Sequence, residues 1–154
     1  MEKYNVKELF NNSLQLIANY SGIYMFINNI NNKCYIGQAI NIRKRLAAHR
    51  YNYTKNKLTN PLYKAFSKYG IENFTYTILE CGLFSKEELD SLEINYIEKY
   101  NSYNTGYNQT LGADGGILGY KFTPEQLDAV REHRNNYIEQ SKVYQIHIYD
   151  IFSK

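Results

Sequence analysis

The feature that most constrains this chain is a pair of mirrored tripeptides, Gly22-Ile23-Tyr24 and Tyr35-Ile36-Gly37, whose tyrosines stand eleven positions apart. That spacing fits a β-hairpin. Ser21 to Asn28 alternates, with Ile23, Met25 and Ile27 on one face and Tyr24 and Phe26 on the other. Asn28-Asn29-Ile30-Asn31-Asn32 is turn chemistry, and Lys33 to Gly37 reads as the return strand. Cys34 and Ile36 then point to the core, while Tyr35 shares an open face with Tyr24. Two phenols on the polar face of a hairpin make a site; two on an apolar face make a core. Strands favour tyrosine in any case, and the chain holds 17 of them, so the pair alone does not decide.

The segments that follow sharpen the reading. Asn41 to Arg50 reads as a helix capped by Asn41, with Arg45 and His49 four apart on one face. Tyr51 to Thr59 reads as a basic, polar loop. Asn60 caps a second helix, with Pro61 in its first turn, Leu62, Phe66 and Tyr69 as its apolar stripe and Gly70 past its end. Phe74 to Glu80 is a third strand. Ser85 and Glu88 form a capping box for a helix to Tyr100, in which Leu89, Leu92, Tyr96, Ile97 and Tyr100 recur at helical spacing. Glu93 falls on that apolar stripe. A carboxylate there is costly unless a cation or a donor meets it. Gly106-Tyr107-Asn108 closes the region. These elements make an α+β domain, a small three-stranded antiparallel sheet flanked by helices.

Tyr24, Tyr35, Arg45, His49, Glu93 and Asn108, in this order and spacing, together with the two tripeptides, resemble the GIY-YIG nuclease family. The resemblance covers about residues 21–110. Asn60 to Phe74 and Tyr107 to Gly112 are similar to the free-standing and intron-encoded (homing) endonucleases of phages and bacteria. The resemblance implies the same α+β fold and a Mg²⁺-dependent DNA endonuclease, with Mn²⁺ able to substitute. It implies Glu93 as the single carboxylate ligand of one metal ion, and Arg45 at the non-bridging phosphate oxygens, where a planar, always-charged fork fits. Tyr24 or Tyr35 would orient or deprotonate the water, and the sequence leaves open which. A free phenol titrates near pH 10, so Arg45, Lys44 and the metal would have to lower it. His49 would relay a proton or hold a phosphate, and Asn108 would hydrogen-bond across the site. Restriction and repair nucleases of the same family are the alternatives among enzymes. A DNA-binding module whose nuclease site has lapsed is the alternative from another class.

The net charge of +3 hides a separation. From Leu9 to Ile71 there is no Asp or Glu, while nine Lys and Arg fall in that run. From Glu72 to Lys99 seven acids face two Lys. An acid-free lobe carrying Tyr and Asn is a footprint for a phosphate backbone, here double-stranded DNA, with Arg43, Lys44, Arg50, Lys55 and Lys57 as candidate contacts. The two Cys, Cys34 and Cys81, match neither a disulfide framework nor a zinc pattern and read as buried thiols in a reducing compartment. No signal peptide or transmembrane run is evident. Abundant Asn, Tyr, Ile and Lys point to an AT-rich genome. A phage or low-GC bacterium fits, hence a cytoplasmic setting, with a mitochondrial one left open.

Residues 1–20 hold an amphipathic helix, read over residues 4–19, with Val6, Leu9, Phe10, Leu14 and Ile17 on its stripe, expected to pack on the nuclease domain of residues 21–110. Residues 111–154 read as a Gly-rich link, a helix from Thr123 to about Gln140 and a strand from Val143 to Ile151. That tail is either the start of a DNA-binding region or a helix and strand that dock back. Gly112 to Gly116 reads as a linker rather than a phosphate cradle, since no Lys-Ser/Thr follows. The chain alone is expected to bind DNA weakly and to cut with loose sequence preference.

Overall fold

The computed structural model describes residues 3–11, 14, 17 and 19–113. The expected helix from Thr123 and strand from Val143 lie outside the described residues. In chain order the elements are β1 (Lys3–Asn5), α1 (Val6–Asn11), β2 (Ser21–Asn28), β3 (Cys34–Ala39), α2 (Ile42–Thr54), α3 (Pro61–Tyr69), a 3₁₀ turn (Ile71–Asn73), β4 (Phe74–Gly82) and α4 (Lys86–Lys99). The expected starts of α2, α3 and α4 hold at residue level, whereas the helix expected over residues 4–19 is α1, from Val6 to Asn11. Asn41 Oδ1 accepts from the Lys44 amide and Asn60 Oδ1 from the Tyr63 amide. Ser85 and Glu88 exchange both bonds of the capping box.

Among the described residues the sheet has four strands, in the order β1-β4-β2-β3 and antiparallel throughout, rather than three. The extra strand comes from the segment expected to begin a helix at residue 4. Lys3 to Asn5 pairs with Thr75 to Thr77, and the helix starts only at Val6, where Asn5 Oδ1 accepts from the Lys7 and Glu8 amides. Three residues, Lys3-Tyr4-Asn5, are too few to show a strand period, which hid that boundary. Two further limits moved. Tyr51 to Thr54, expected as loop, completes α2, because Tyr53 packs its ring against Phe10 and Phe66 and tertiary contact overrides weak propensity. Cys81, expected just beyond a strand and buried, lies inside β4 and is exposed.

Both faces of the sheet are covered. One carries Ile23, Met25, Cys34 and Ile36 against Leu89, Leu92, Tyr96 and Ile97 of α4. The other carries Tyr24, Phe26 and Tyr76 against Val6, Leu9, Phe10, Leu46, Leu62 and Phe66. The alternation was read correctly, but the Tyr24 face is not open. Tyr24 is 1% exposed and Phe26 is fully buried. Rings meet edge to face through this layer, Phe66 and Phe74 at 4.7 Å between centroids. Such a pair adds about 0.5–1.5 kcal/mol beyond its buried area. Among the described residues β3 pairs only with β2, and its outer edge meets no other strand.

Candidate active site

At that free edge the two covered faces meet in one cleft of about 630 Å³. Tyr35, Gln38, Ala39 and Ile40 of β3 and its exit form the floor; Lys44, Arg45 and Ala48 of α2 form one wall. Lys86 and Glu93 of α4 form the other, with Tyr107 to Thr110 closing the end. Edge position is what allows this. Tyr35 and Gln38 have opposite parity on β3 and so leave opposite faces, and only at an edge strand can groups from both faces border one space.

The α2 wall is built from behind. Tyr24 pairs with Gly37 across the hairpin, and its phenol lies over that glycine, where a Cβ would collide with it. The Tyr24 hydroxyl is 2.8 Å from His49 Nε2 and accepts from Arg45 Nε at 3.3 Å. His49 Nδ1 is 2.8 Å from the Tyr63 hydroxyl. His49 is therefore buried between two phenols with both ring nitrogens occupied, and does not border the cleft. Burial, aided by the Arg45 charge, drives its pKa down to about 3, so the ring is neutral. Of the two motif phenols, Tyr35 borders the cleft and Tyr24 does not. Burial pushes both above the usual phenol range; Arg45 opposes the shift without cancelling it. Arg45 by itself does not bring about the expected lowering, because desolvation outweighs one neighbouring cation. The Tyr24 phenol in turn holds Arg45 firmly charged.

The α4 wall is acidic and tied down. Glu93 Oε2 accepts from Gln38 Nε2 and from the Ala113 amide, both at 3.0 Å. Its other oxygen has no protein partner among the described residues. Burial raises the Glu93 pKa, and the two donors work against that rise. Asp90, one turn earlier, accepts from Gln38 at 2.6 Å and is paired with Lys86. Among the described residues no three His, Cys, Asp or Glu side chains gather around one point. Asn108 spends its amide on the strand edge: Oδ1 accepts from the Ile36 N–H at 2.9 Å and Nδ2 donates to the Ile36 carbonyl at 2.8 Å. It replaces a missing strand and fixes the closing segment, which Tyr107 N–H reinforces by bonding the Cys34 carbonyl.

The basic residues divide. Lys44 is exposed and borders the cleft, and Lys55 and Lys57 are exposed over the Tyr51 ring. Arg43 and Arg50 point the other way. Each donates to a backbone carbonyl of the N-terminal segment, that of Ile17 at 2.8 Å and that of Phe10 at 3.5 Å. Gln38, Lys86, Tyr63 and Ala113 were missed. Gln38 had a signal, since it shares the parity of Ile36 and so the face that meets α4. The others depend on which helices pack together.

Fold and cleft define a class of small α+β catalytic domain in which two hairpin tyrosines, an arginine and one helix carboxylate surround a single site. The chain belongs to the GIY-YIG family: the profile of the GIY-YIG catalytic domain matches residues 20–108. The chain is 39% identical over 127 residues to "Probable intron-encoded endonuclease 1" of Neurospora crassa, covering 79% of this chain and 40% of that protein. It is 35% identical over 89 residues to "Intron-associated endonuclease 1" of Enterobacteria phage T4, covering 57% of this chain and 36% of that protein. The match thus spans well under half the length of either relative. Among solved structures, the catalytic domain of the homing endonuclease I-TevI is 33% identical, with a TM-score of 0.54, covering 58% of this chain and 98% of that one.

Proposed function

We propose that this chain is a Mg²⁺-dependent endodeoxyribonuclease that hydrolyses phosphodiester bonds in double-stranded DNA, and that it works as a homing endonuclease or as the N-terminal catalytic part of one. The observation that carries this is the meeting of Arg45 and Tyr35 with Glu93 around one cleft at the β3 edge. A phosphate seated there meets a guanidinium on one wall and a carboxylate on the other. The residues fit a divalent cation. Glu93 offers one hard oxygen that no described protein group occupies, and Mg²⁺ is commonly held by one or two carboxylates with water completing its shell. Held by Glu93, Mg²⁺ would polarise a phosphate oxygen and carry charge on the leaving oxygen.

The remaining work falls to the chain itself. Arg45 is hydrogen-bonded to Tyr24 through Nε and also to Tyr35, and the donors of its five-N–H fork that these two phenols do not take suit non-bridging oxygens. Tyr35 is the phenol that a water in the cleft can reach. Tyr24 braces Arg45, and His49 braces Tyr24 from behind. Asn108 is a positioning residue. Lys44 contacts the DNA backbone beside the cleft, and Lys55 and Lys57 extend that contact past the C-terminal end of α2. The similarity to intron-associated endonucleases favours the homing reading over restriction or repair, and the intact residue set favours a working site over a lapsed one.

The test is cleavage of supercoiled plasmid in Mg²⁺ and in chelator, with Glu93→Gln alongside. The wild type should nick or linearise only with Mg²⁺, and Glu93→Gln should retain DNA binding and lose cleavage. Equal cutting by the variant, or cutting in chelator, would refute the assignment.

A further inference from the structure

The family match ends at residue 108, yet the site does not. Past Asn108 the backbone turns back onto α4 through two successive left-handed residues, Gly112 at φ +105° and Ala113 at φ +57°. Glycine adopts that region freely; alanine adopts it at a cost, and such a residue persists only where its surroundings hold it. The Ala113 N–H donates to Glu93 Oε2 at 3.0 Å. Gly112 lies so close to α4 that a Cβ there would stand 3.1 Å from Ile94 Cγ1 and 3.3 Å from Glu93 Oε2.

Gln38 Nε2, from β3, donates to the same oxygen at 3.0 Å. Its orientation is fixed independently, because that NH₂ group also donates to Asp90 at 2.6 Å. Both neighbours are carboxylates, so the nitrogen must face them. Two donors therefore converge on one oxygen of Glu93, and its partner oxygen is left for a cation.

We propose that Gln38 and the Gly112–Ala113 turn form a clamp that makes Glu93 a one-oxygen ligand of fixed orientation. Gln38 and Ala113 are positioning residues, acting on the metal through Glu93. This rests on the metal-dependent reading above. Hydrogen-bond partners of metal ligands typically contribute about 10–100-fold in affinity, and the clamp supplies two. It also sets a direction of influence: a force on the chain beyond Ala113 reaches Glu93 through one backbone bond.

The experiment uses the full chain without DNA and has two readouts. Mn²⁺ affinity is followed by electron paramagnetic resonance or calorimetry, and hydrogen exchange of the Ala113 amide by NMR. Gln38→Leu, Gly112→Ala and Ala113→Val should each weaken Mn²⁺ binding by about tenfold. Ala113→Gly, which keeps the N–H and accepts positive φ, should bind as the wild type does. Thermal unfolding of each variant establishes that it is folded. The Ala113 amide should be protected, and Glu93→Ala should expose it. Mn²⁺ affinities within twofold of wild type across the three weakened variants would overturn the clamp, as would an unprotected Ala113 amide in the wild type. A protected amide in a wild type that binds no Mn²⁺ would overturn the metal reading and leave the hydrogen-bonded clamp standing.

Discussion

Lowering the pH should destabilise the fold through one residue, His49. The ring is 3% exposed, with Tyr24 and Tyr63 on its two nitrogens, and burial drives its pKa from 6.5 to about 3. The folded-state value is depressed for a base, so between those two values the unfolded chain binds a proton that the native state refuses. Stability is fully present above pH 6.5 and falls as pH drops towards about 3. Each pH unit in that window costs about 1.4 kcal/mol, so at about pH 4.5 the loss from His49 alone is about 2.7 kcal/mol. Against a typical domain stability of about 5–15 kcal/mol that is a large share. Urea unfolding at about pH 7 and 4.5 would measure it. The same pair of measurements on His49→Gln removes the titration and leaves the carboxylates, including Glu93, whose raised pKa acts in the opposite direction. The wild type should lose about 2–3 kcal/mol more than the variant. Equal losses would refute a neutral, desolvated His49.

Arg45→Lys should cut Mg²⁺-dependent cleavage by roughly a hundredfold or more with DNA affinity nearly kept, since an ammonium cannot brace on Tyr24 and meet phosphate oxygens as a fork does; near wild-type turnover would contradict it. Lys44→Ala should weaken DNA binding and flatten its salt dependence by about one log-log unit, whereas Arg43→Ala should lower stability by about 1–2 kcal/mol and leave DNA affinity alone, because its guanidinium is tied to Ile17. The reverse pattern in filter binding and thermal unfolding would show that the basic face is assigned wrongly. Gly37→Ala should cost about 1–3 kcal/mol by forcing the Tyr24 phenol aside, and should lower cleavage with it. An unchanged melting temperature would argue against that contact.

The sequence determined the local pieces, and the reason is that each is a short-range matter. Asn41, Asn60 and Ser85 cap their helices because a side-chain oxygen reaches an amide two or three residues on. The hairpin register brings Tyr24 opposite Gly37 because strand period and turn chemistry leave little choice. The family, too, was legible, since its polar residues sit at fixed spacing along those elements. Only the tertiary structure decided what covers what. The Tyr24 face looked polar because Tyr24 and Tyr35 carry hydroxyls, but α2, α3 and the N-terminal segment bury it, and burial raises the phenols that a solvated face would have left alone. Arg43 and Lys44 are neighbours in sequence and point to different partners, one to the Ile17 carbonyl and one to the cleft. Tyr35 and Glu93 meet because β3 is an edge strand. Gln38, Tyr63 and Ala113 enter the site across 55, 14 and 20 positions of chain, through contacts that no local pattern encodes.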